Sequence, residues 1–224
     1  MLTKNMSQFL ADLTANNNKE WMHANKKRYE EYKKEYHNFI GSVLLEMKLL
    51  DPNLSDLEIK NSTFRINRDI RFSKDKQPYK TNIALWFSSN KNRKNAAGYY
   101  LHFQPNKSFV AGGLYNPENE DLKKIRKEIE FFYADLNLIL EDKDFKSNYK
   151  ELSIEDKNKL KRAPKGFDEN HEAIEFLKLK SFTASMEIED KEFLKEGFSK
   201  FIAAKMILLK PLIDFVNRGV ETEE

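Results

Sequence analysis

Apolar residues recur at three- and four-residue steps over the first fifty positions, which is the spacing of one buried helical face. A first helix is predicted where Met6, Phe9, Leu10 and Leu13 share a face. A longer helix is predicted after a capping box formed by Asn17 and Glu20, with an apolar stripe from Met22 to Met47. Asp51-Pro52 should end it, because proline disfavours helix in the residue before it.

The hydrophobic period changes to two after Leu57, which predicts strands. In the segment Thr63–Phe72, Phe64 and Ile66 alternate with polar residues. After a polar turn at Ser73–Tyr79, a second strand is predicted around Ile83–Phe87, and Asn90–Asn95 should form a basic loop. Two further strands, Gly98–Gln104 and Lys107–Tyr115, flank Pro105-Asn106 and predict a β-hairpin.

The helical period returns after Asn116-Pro117, a good N-cap and first-turn pair. A helix with an apolar stripe from Leu122 to Ile139 is predicted first, followed by short helices at Ile154–Lys161 and Glu169–Leu177 and a fifth strand at Ser181–Ile188. A final long helix should be capped by Asp190, and Pro211 should kink or end it. Strands clustered between helices predict an α+β fold, with an antiparallel sheet of about four to six strands and long N- and C-terminal helices packed on one face. Because no repeat or linker interrupts the chain, residues 1–224 are expected to form a single domain.

The composition limits which cellular compartment is expected and which kinds of chemical site the chain can form. The 224 residues include no cysteine, which excludes disulfides, thiolate nucleophiles and cysteine zinc sites. The N-terminus lacks the apolar run of a signal peptide, and no stretch approaches the roughly 20 apolar residues of a membrane span. We therefore expect a soluble cytoplasmic protein with no membrane association.

The net charge of +3 is unevenly distributed. Residues 61–115 contain ten Lys/Arg and only two acids, Asp69 and Asp75, a net charge of +8, whereas residues 116–224 must total −5. A local excess of this kind attracts anions even when the whole chain is near neutral. The two acids are expected to pair with Arg71 or a lysine, or to fix a turn.

Alternation along the strands separates a buried face from a candidate ligand face. The buried face is predicted to hold Phe64, Ile66, Ile83, Leu85, Phe87, Leu101 and Phe103. The opposite face would carry Arg65, Asn67, Asn82, Trp86, Tyr100 and His102, with Arg68 or Arg71 nearby. Arginine offers forked donors for phosphate or carboxylate, and aromatic rings can stack on a planar ligand. The alternative is that this face is simply the solvated side of a half-buried sheet.

No motif assigns a catalytic mechanism, a metal or a cofactor. The four histidines lack metal-ligand spacing, and no nucleophile motif occurs. His102 alone lies on the candidate ligand face, where it is either a general acid/base or a hydrogen-bonded structural residue. The turn from Arg71 to Lys80 is the densest cationic segment, but it lacks the glycine spacing of a P-loop.

Three kinds of partner fit the basic region. An anionic small molecule bearing phosphate or carboxylate is the first hypothesis, with enzymatic activity on it left open. Nucleic acid is second, because the RNP-type pattern is absent and the pI is about 8.7. A protein-interaction domain that docks an acidic partner is third.

Ordered motifs along the chain resemble those of a largely bacterial family, the domain of unknown function 2461. They include Asn16-Asn17, Glu20-Trp21, Asn25, Tyr29, Arg68-Asp69, Arg71-Phe72-Ser73, Asp75-Lys76, Pro78-Tyr79-Lys80, Gly98-Tyr99-Tyr100, Gly112-Gly113, Arg126, Pro164-Lys165-Gly166-Phe167 and His171. The resemblance covers about residues 5 to 205 and implies one compact domain with no established activity. Combined with the strand pattern, it gives the predicted ligand-binding set Arg65, Arg68, Arg71, Lys76, Tyr79, Lys80, Trp86, Tyr100 and Arg126.

Overall fold

Three helices form the N-terminal part of the computed structural model, which describes residues 1–89, 96–154 and 158–222. They are α1 (Lys4–Ala15), α2 (Lys19–Ala24) and α3 (Lys26–Leu50). The predicted long helix is therefore wrong in one respect, since it breaks at Asn25. The predicted capping box is also wrong, because the side chain of Asn18, not Asn17, accepts the Trp21 N–H at 2.8 Å. Helix α3 ends at Asp51-Pro52, as predicted.

Within the described residues, four strands form one antiparallel sheet in the order β1-β2-β3-β4, which confirms the predicted α+β class. The strands are β1 (Ile83–Phe87), β2 (Gly98–Phe103), β3 (Phe109–Leu114) and β4 (Phe182–Glu187). The predicted hairpin around Pro105-Asn106 is present, and Asn106 has the positive φ of 61° that its turn requires.

The predicted strand at Thr63–Phe72 is wrong. This segment is extended but makes only isolated bridges, Thr63 with Leu85 and Asn67 with Tyr79. The buried Tyr36 hydroxyl accepts the Phe64 N–H at 3.0 Å and donates to the Ala84 carbonyl at 2.6 Å. The Tyr36 side chain therefore lies between the Phe64 N–H and the Ala84 carbonyl, the two backbone groups that would otherwise continue the strand pairing.

The pairing of Thr63 with Leu85 also corrects the predicted burial of Phe64. Residues directly opposite in an antiparallel pair project to the same face. Thr63 thus shares the side of Leu85, and Phe64 falls on the other side, with Ala84 and Trp86. Phe64 is 41% exposed rather than part of the core.

The C-terminal helices are shorter than predicted. They are α4 (Asn119–Phe131), α5 (Tyr133–Glu141), α6 (Lys143–Tyr149), α7 (Ile174–Leu177), α8 (Phe198–Met206) and α9 (Lys210–Glu221). The predicted stripe from Leu122 to Ile139 breaks at Phe132, and α4 is capped by Glu118 rather than Asn116. The last helix breaks at residues 207–209 ahead of Pro211, as expected for proline.

Two other predicted helices need correction. Only the last four residues of Glu169–Leu177 are helical, and Asp190 begins a 3-10 turn that ends four residues before α8. The carboxylate of Asp190 instead accepts hydrogen bonds from the Asn106 N–H and the Ser108 hydroxyl. The predicted loop at Asn90–Asn95 and the middle of the predicted helix at Ile154–Lys161 lie outside the described residues.

The chain divides into two compact units. The first consists of Met1–Phe87, Leu101–Phe109 and Glu187–Ala203, and the second of Ser88–Tyr100, Val110–Met186 and Ala204–Glu224. The first unit buries Phe9, Leu13, Ile40, Met47, Phe193 and Phe198, and the second buries Tyr99, Ile125, Phe145, Phe182, Leu209 and Leu212. That the whole chain is one domain stays a prediction. Among the described residues, none of the helices has the length and apolarity to cross a membrane.

Candidate anion-binding site

The basic arm, which we define as residues 66–80, is a narrow antiparallel loop of the first unit. Two backbone hydrogen bonds join its two sides: the Arg68 N–H donates to the Pro78 carbonyl at 2.9 Å, and the Lys80 N–H donates to the Ile66 carbonyl at 2.8 Å. The Asn17 side chain clamps Tyr79, donating to its carbonyl and accepting its N–H, both at 3.0 Å. Two segments that match the family motifs, Asn16-Asn17 and Pro78-Tyr79-Lys80, therefore meet in space.

Three predicted ligand-binding cations hold the tip of the basic arm together. Arg68 lies 2.6 Å from the Asp75 carboxylate and also donates to the Gln77 carbonyl. Arg71 grips Asp69 through two nitrogens, at 3.0 and 2.6 Å. The ammonium group of Lys76 donates to the Ile70 carbonyl at 3.0 Å.

The acids of the arm behave as expected from the sequence. The Arg71 guanidinium lowers the pKa of Asp69, and the Gln77 N–H followed by Arg68 lowers the pKa of Asp75. Asp69 thus pairs with Arg71, while Asp75 both fixes the turn and pairs with Arg68. These bonds occupy donors that an anionic ligand would otherwise use.

Two other predicted ligand-binding cations, Arg65 and Lys80, lie at the base of the arm and take no part in the hydrogen bonds that hold its tip together. The ammonium nitrogen of Lys80 lies 5.2 Å from the centre of the Phe64 ring, within the range of a cation–π contact. Burial, and then the positive charge of Arg65, lower the pKa of Lys80. Neither cation has a carboxylate partner within the part of the chain that the structure describes. Among the described residues neither cation thus forms an ion pair, although Arg65 is near enough to Asp69 to help lower the pKa of that carboxyl.

The strands beside this base supply aromatic and polar groups. Trp86 is half-buried on β1, on the same side as Phe64. On β2, the His102 ring stacks on Phe109 with centroids 5.0 Å apart. Its Nδ1 faces the Asn82 amide at 3.4 Å, and its Nε2 faces the Gln104 amide oxygen at 3.2 Å.

These contacts favour a neutral His102. Its Nε2–H donates to Gln104, which leaves Nδ1 as the acceptor for the Asn82 amide. Burial lowers the pKa of His102 in the same direction. Both ring nitrogens have protein partners, so the geometry favours the structural alternative over proton transfer, and a catalytic role remains a prediction.

The remaining two predicted ligand-binding residues belong to the second unit. Burial raises the pKa of the half-buried Tyr100. Arg126 is buried and donates to the carbonyls of Leu177 and Leu179, at 2.7 and 3.0 Å. Arg126 thus binds backbone carbonyls at the C-terminal end of α7, where a cation is favourable. That Arg126 binds a ligand stays a prediction.

Sequence reasoning missed Phe64 as part of this site. The alternation of residues 63–67 suggested that the Phe64 ring is buried. The register of this segment is set by the Tyr36 hydroxyl, a long-range contact that local alternation does not show. Sequence reasoning also gave no reason to expect different surroundings for Lys80 and Lys76, since both are lysines of one cationic segment. The matching motif Asn16-Asn17 was a usable signal, because Asn17 fixes the backbone beside Lys80.

Among the described residues, no three His, Asp or Glu side chains gather in a way that could hold a metal ion. A family model described as conserved hypothetical protein (DUF2461) matches residues 5–215, in agreement with the motif resemblance. Comparison with curated proteins and comparison with solved structures each found no significant match.

Proposed function

The chain belongs to the family of conserved hypothetical proteins DUF2461, and since that description carries no activity, we propose from the site itself that the protein binds a small anion at the base of the basic arm. The ligand would bear a phosphate or a carboxylate. Arg65 and Lys80 would supply the charge, and Phe64 and Trp86 would provide apolar surface beside it.

One observation carries this proposal: Lys80 is a half-buried cation beside a second cation, without a carboxylate partner among the described residues. Partial burial of the Lys80 ammonium group, with the exposed Arg65 as a second positive charge acting on it, is unfavourable. A bound anion would neutralise both, so part of the binding free energy would come from relief of this repulsion. The Asn17–Tyr79 clamp fixes the backbone beside Lys80, which would reduce the entropy lost when a ligand binds there.

The test is thermal unfolding in a panel of anions at constant ionic strength. At a ligand concentration ten times Kd, the native state gains about 1.4 kcal/mol, which corresponds to about 3–6 °C in a chain of this size. We expect phosphate, sugar phosphates or carboxylic acids to raise the Tm of the wild type and to leave Lys80→Met and Arg65→Gln unchanged. Lys74→Met is the matched control, because Lys74 is an exposed lysine of the same arm. If no anion raises the Tm, or if the Lys74 variant loses the response equally, the proposal fails.

A second candidate, binding of single-stranded nucleic acid, is supported by the tip of the arm. Phe72 is 95% exposed there, with the Arg71 guanidinium carbon 5.8 Å from its ring centre. Exposed rings next to arginine can stack on unpaired bases, and each stacked base contributes about 1–3 kcal/mol. Fluorescence anisotropy with short single-stranded DNA and RNA would then show salt-sensitive binding that Phe72→Ala weakens at least about fivefold. No binding at low salt would eliminate this candidate.

A further inference from the structure

We propose that the anion bound at the base of the arm is a nucleotide, whose base lies against Phe64 and Trp86 while its phosphate contacts the Lys80 ammonium group. The inference rests on the proposed function, because it concerns the ligand of the same site. It adds the class of that ligand, since anion binding alone implies no aromatic group.

Phe64 and Trp86 belong to one surface of the first unit. The Trp86 N–H donates to the Ser62 carbonyl at 3.2 Å. Thr63 forms an antiparallel bridge with Leu85. In this register Phe64 is the diagonal neighbour of Trp86 and projects to the same side of β1. The two aromatic side chains therefore border one patch of the surface.

Both aromatic side chains are partly accessible to a ligand. Phe64 is 41% exposed and Trp86 is half-buried. Among the described residues, the Trp86 indole N–H has no hydrogen-bond acceptor, and solvent reaches it. An indole N–H at a buried position usually has such a partner. The patch thus combines apolar ring surface with an available donor, which suits a flat ring that carries acceptor atoms on its edge, as a nucleobase does.

A positive charge is held directly against this patch. The Lys80 ammonium nitrogen lies 5.2 Å from the centre of the Phe64 ring. A cation–π contact favours the charged form of lysine, and the ammonium group has three N–H donors, so those facing away from the ring can bind a phosphate. The Lys80 N–H donates to Ile66 and Asn17 clamps Tyr79, so the backbone that carries this charge is fixed.

The tip of the arm offers a similar pair but suits a nucleotide less well. There the Arg71 guanidinium carbon lies 5.8 Å from the Phe72 ring centre. The same guanidinium grips Asp69 through two nitrogens, so its donors are already used by a carboxylate. At the base, Lys80 forms no ion pair with any residue that the structure describes. A phosphate joined to a flat ring is therefore expected at Lys80 and Phe64.

The experiment is isothermal titration calorimetry at constant ionic strength with three probes: AMP, ribose 5-phosphate and adenosine. We expect AMP to bind at least about fivefold more tightly than ribose 5-phosphate, because both carry the phosphate but only AMP can stack on an aromatic side chain. Adenosine should bind more weakly than AMP, since it lacks the phosphate.

Tryptophan fluorescence gives a second measurement at the site itself. Trp21→Phe leaves Trp86 as the only tryptophan of the chain. In this variant AMP should change the emission of Trp86 with the same Kd that calorimetry gives, and ribose 5-phosphate should not change it.

Phe64→Leu keeps an apolar side chain but removes the aromatic face. We expect it to weaken AMP binding at least about fivefold and to leave the Kd of ribose 5-phosphate unchanged. Phe72→Leu is the matched control, because it removes an exposed ring outside the patch, and both Kd values should stay the same. Lys80→Met should reduce the affinity for AMP to that for adenosine. If Phe64→Leu does not fold, as judged by circular dichroism, the Trp86 emission decides.

The outcomes separate this inference from the proposed function. If AMP and ribose 5-phosphate bind equally, the nucleotide inference is overturned and anion binding stands. The inference is also overturned if AMP binds without changing the Trp86 emission, or if Phe72→Leu weakens AMP as much as Phe64→Leu does. Equal affinity for adenosine and AMP would show that the phosphate is not recognised, which overturns both proposals. Absence of binding by all three probes and by inorganic phosphate likewise overturns both.

Discussion

The hydroxyl group of Tyr36 sets the register of the segment that leads into the basic arm. It is one atom on a buried helical side chain, yet it satisfies the Phe64 N–H and the Ala84 carbonyl together. Without it, both backbone groups would have to find other partners or remain unsatisfied. The position of the Phe64 ring beside Lys80 thus depends on a residue 28 positions earlier.

Tyr36→Phe should therefore cost more stability than loss of a typical surface hydroxyl. We expect a decrease of about 1–3 kcal/mol in the free energy of unfolding, because buried backbone donors and acceptors lose a partner. Urea unfolding measures this change. Tyr32→Phe is the matched control: its ring stacks on Tyr36 at 6.1 Å and is equally buried, but its hydroxyl makes no hydrogen bond among the described residues. Equal losses in the two variants would contradict the role given to the Tyr36 hydroxyl.

Strands β3 and β4 approach so closely at Gly113 that no side chain fits. A Cβ atom there would lie 2.0 Å from the Phe182 carbonyl oxygen, and Gly113 has a φ of +117°. Only glycine tolerates both the contact and this backbone conformation. The Gly112-Gly113 motif therefore has a structural explanation in the pairing of these two strands.

Gly113→Ala should destabilise the protein by about 2–4 kcal/mol, through backbone strain and overpacking together. Gly166→Ala separates the two causes, because Gly166 also has a positive φ of +92° but has open space at its Cβ position. We expect only about 1 kcal/mol for that control. Urea midpoints of both variants provide the test, and a Gly113 variant no less stable than the Gly166 variant would contradict the close approach of β3 and β4.

Helix α7 is joined to its neighbouring segment by a carboxylate shared between two lysines. Glu175 lies 2.5 Å from Lys159 and 2.8 Å from Lys178, and these hydrogen bonds lower the pKa of Glu175 to about 2. A depressed folded-state pKa adds stability above the unfolded value near 4.5, and this stability is lost as the pH falls towards 2. The side chain is exposed, so solvent screening keeps the contribution small.

Glu175→Gln should consequently lower the Tm slightly at pH 6–7 and make no difference near pH 2. Thermal unfolding of the wild type and the variant across this range gives the measurement. Glu141→Gln is a suitable comparison, because Glu141 pairs with a single lysine, Lys146, at 2.5 Å. A Tm difference that is constant with pH would contradict the shared ion pair.

At the scale of the whole molecule, periodicity predicted most of the fold. The stripe of α3, the hairpin of β2 and β3, and β4 follow from local spacing of apolar residues. The errors arise where a distant group decides the local structure, as Tyr36 does for Thr63–Phe72. The charge count likewise located the basic region. The sequence does not reveal that Arg68 and Arg71 pair with acids of the arm, whereas Arg65 and Lys80 form no ion pair with any residue that the structure describes. That difference depends on where the arm folds back on itself.

The chain passes five times between its two compact units, at 87/88, 100/101, 109/110, 186/187 and 203/204. Units that share so many connections should unfold together, which is the content of the single-domain prediction. Both tryptophans, Trp21 and Trp86, belong to the first unit, whereas helices of both units contribute to far-UV circular dichroism. Urea unfolding curves from fluorescence and circular dichroism should coincide. Separate midpoints would show independent domains.

The central claim, that Arg65 and Lys80 form an anion site, is tested most directly by the pKa of Lys80 itself. Reductive ¹³C-methylation of the lysines allows each pKa to be followed by NMR, with Lys80→Arg identifying the resonance. We predict that the pKa of Lys80 lies below the ordinary lysine value in the free protein, rises in Arg65→Gln, and rises in the wild type when phosphate or another bound anion is added. An ordinary Lys80 pKa that neither the anion nor the Arg65 substitution changes would contradict the account.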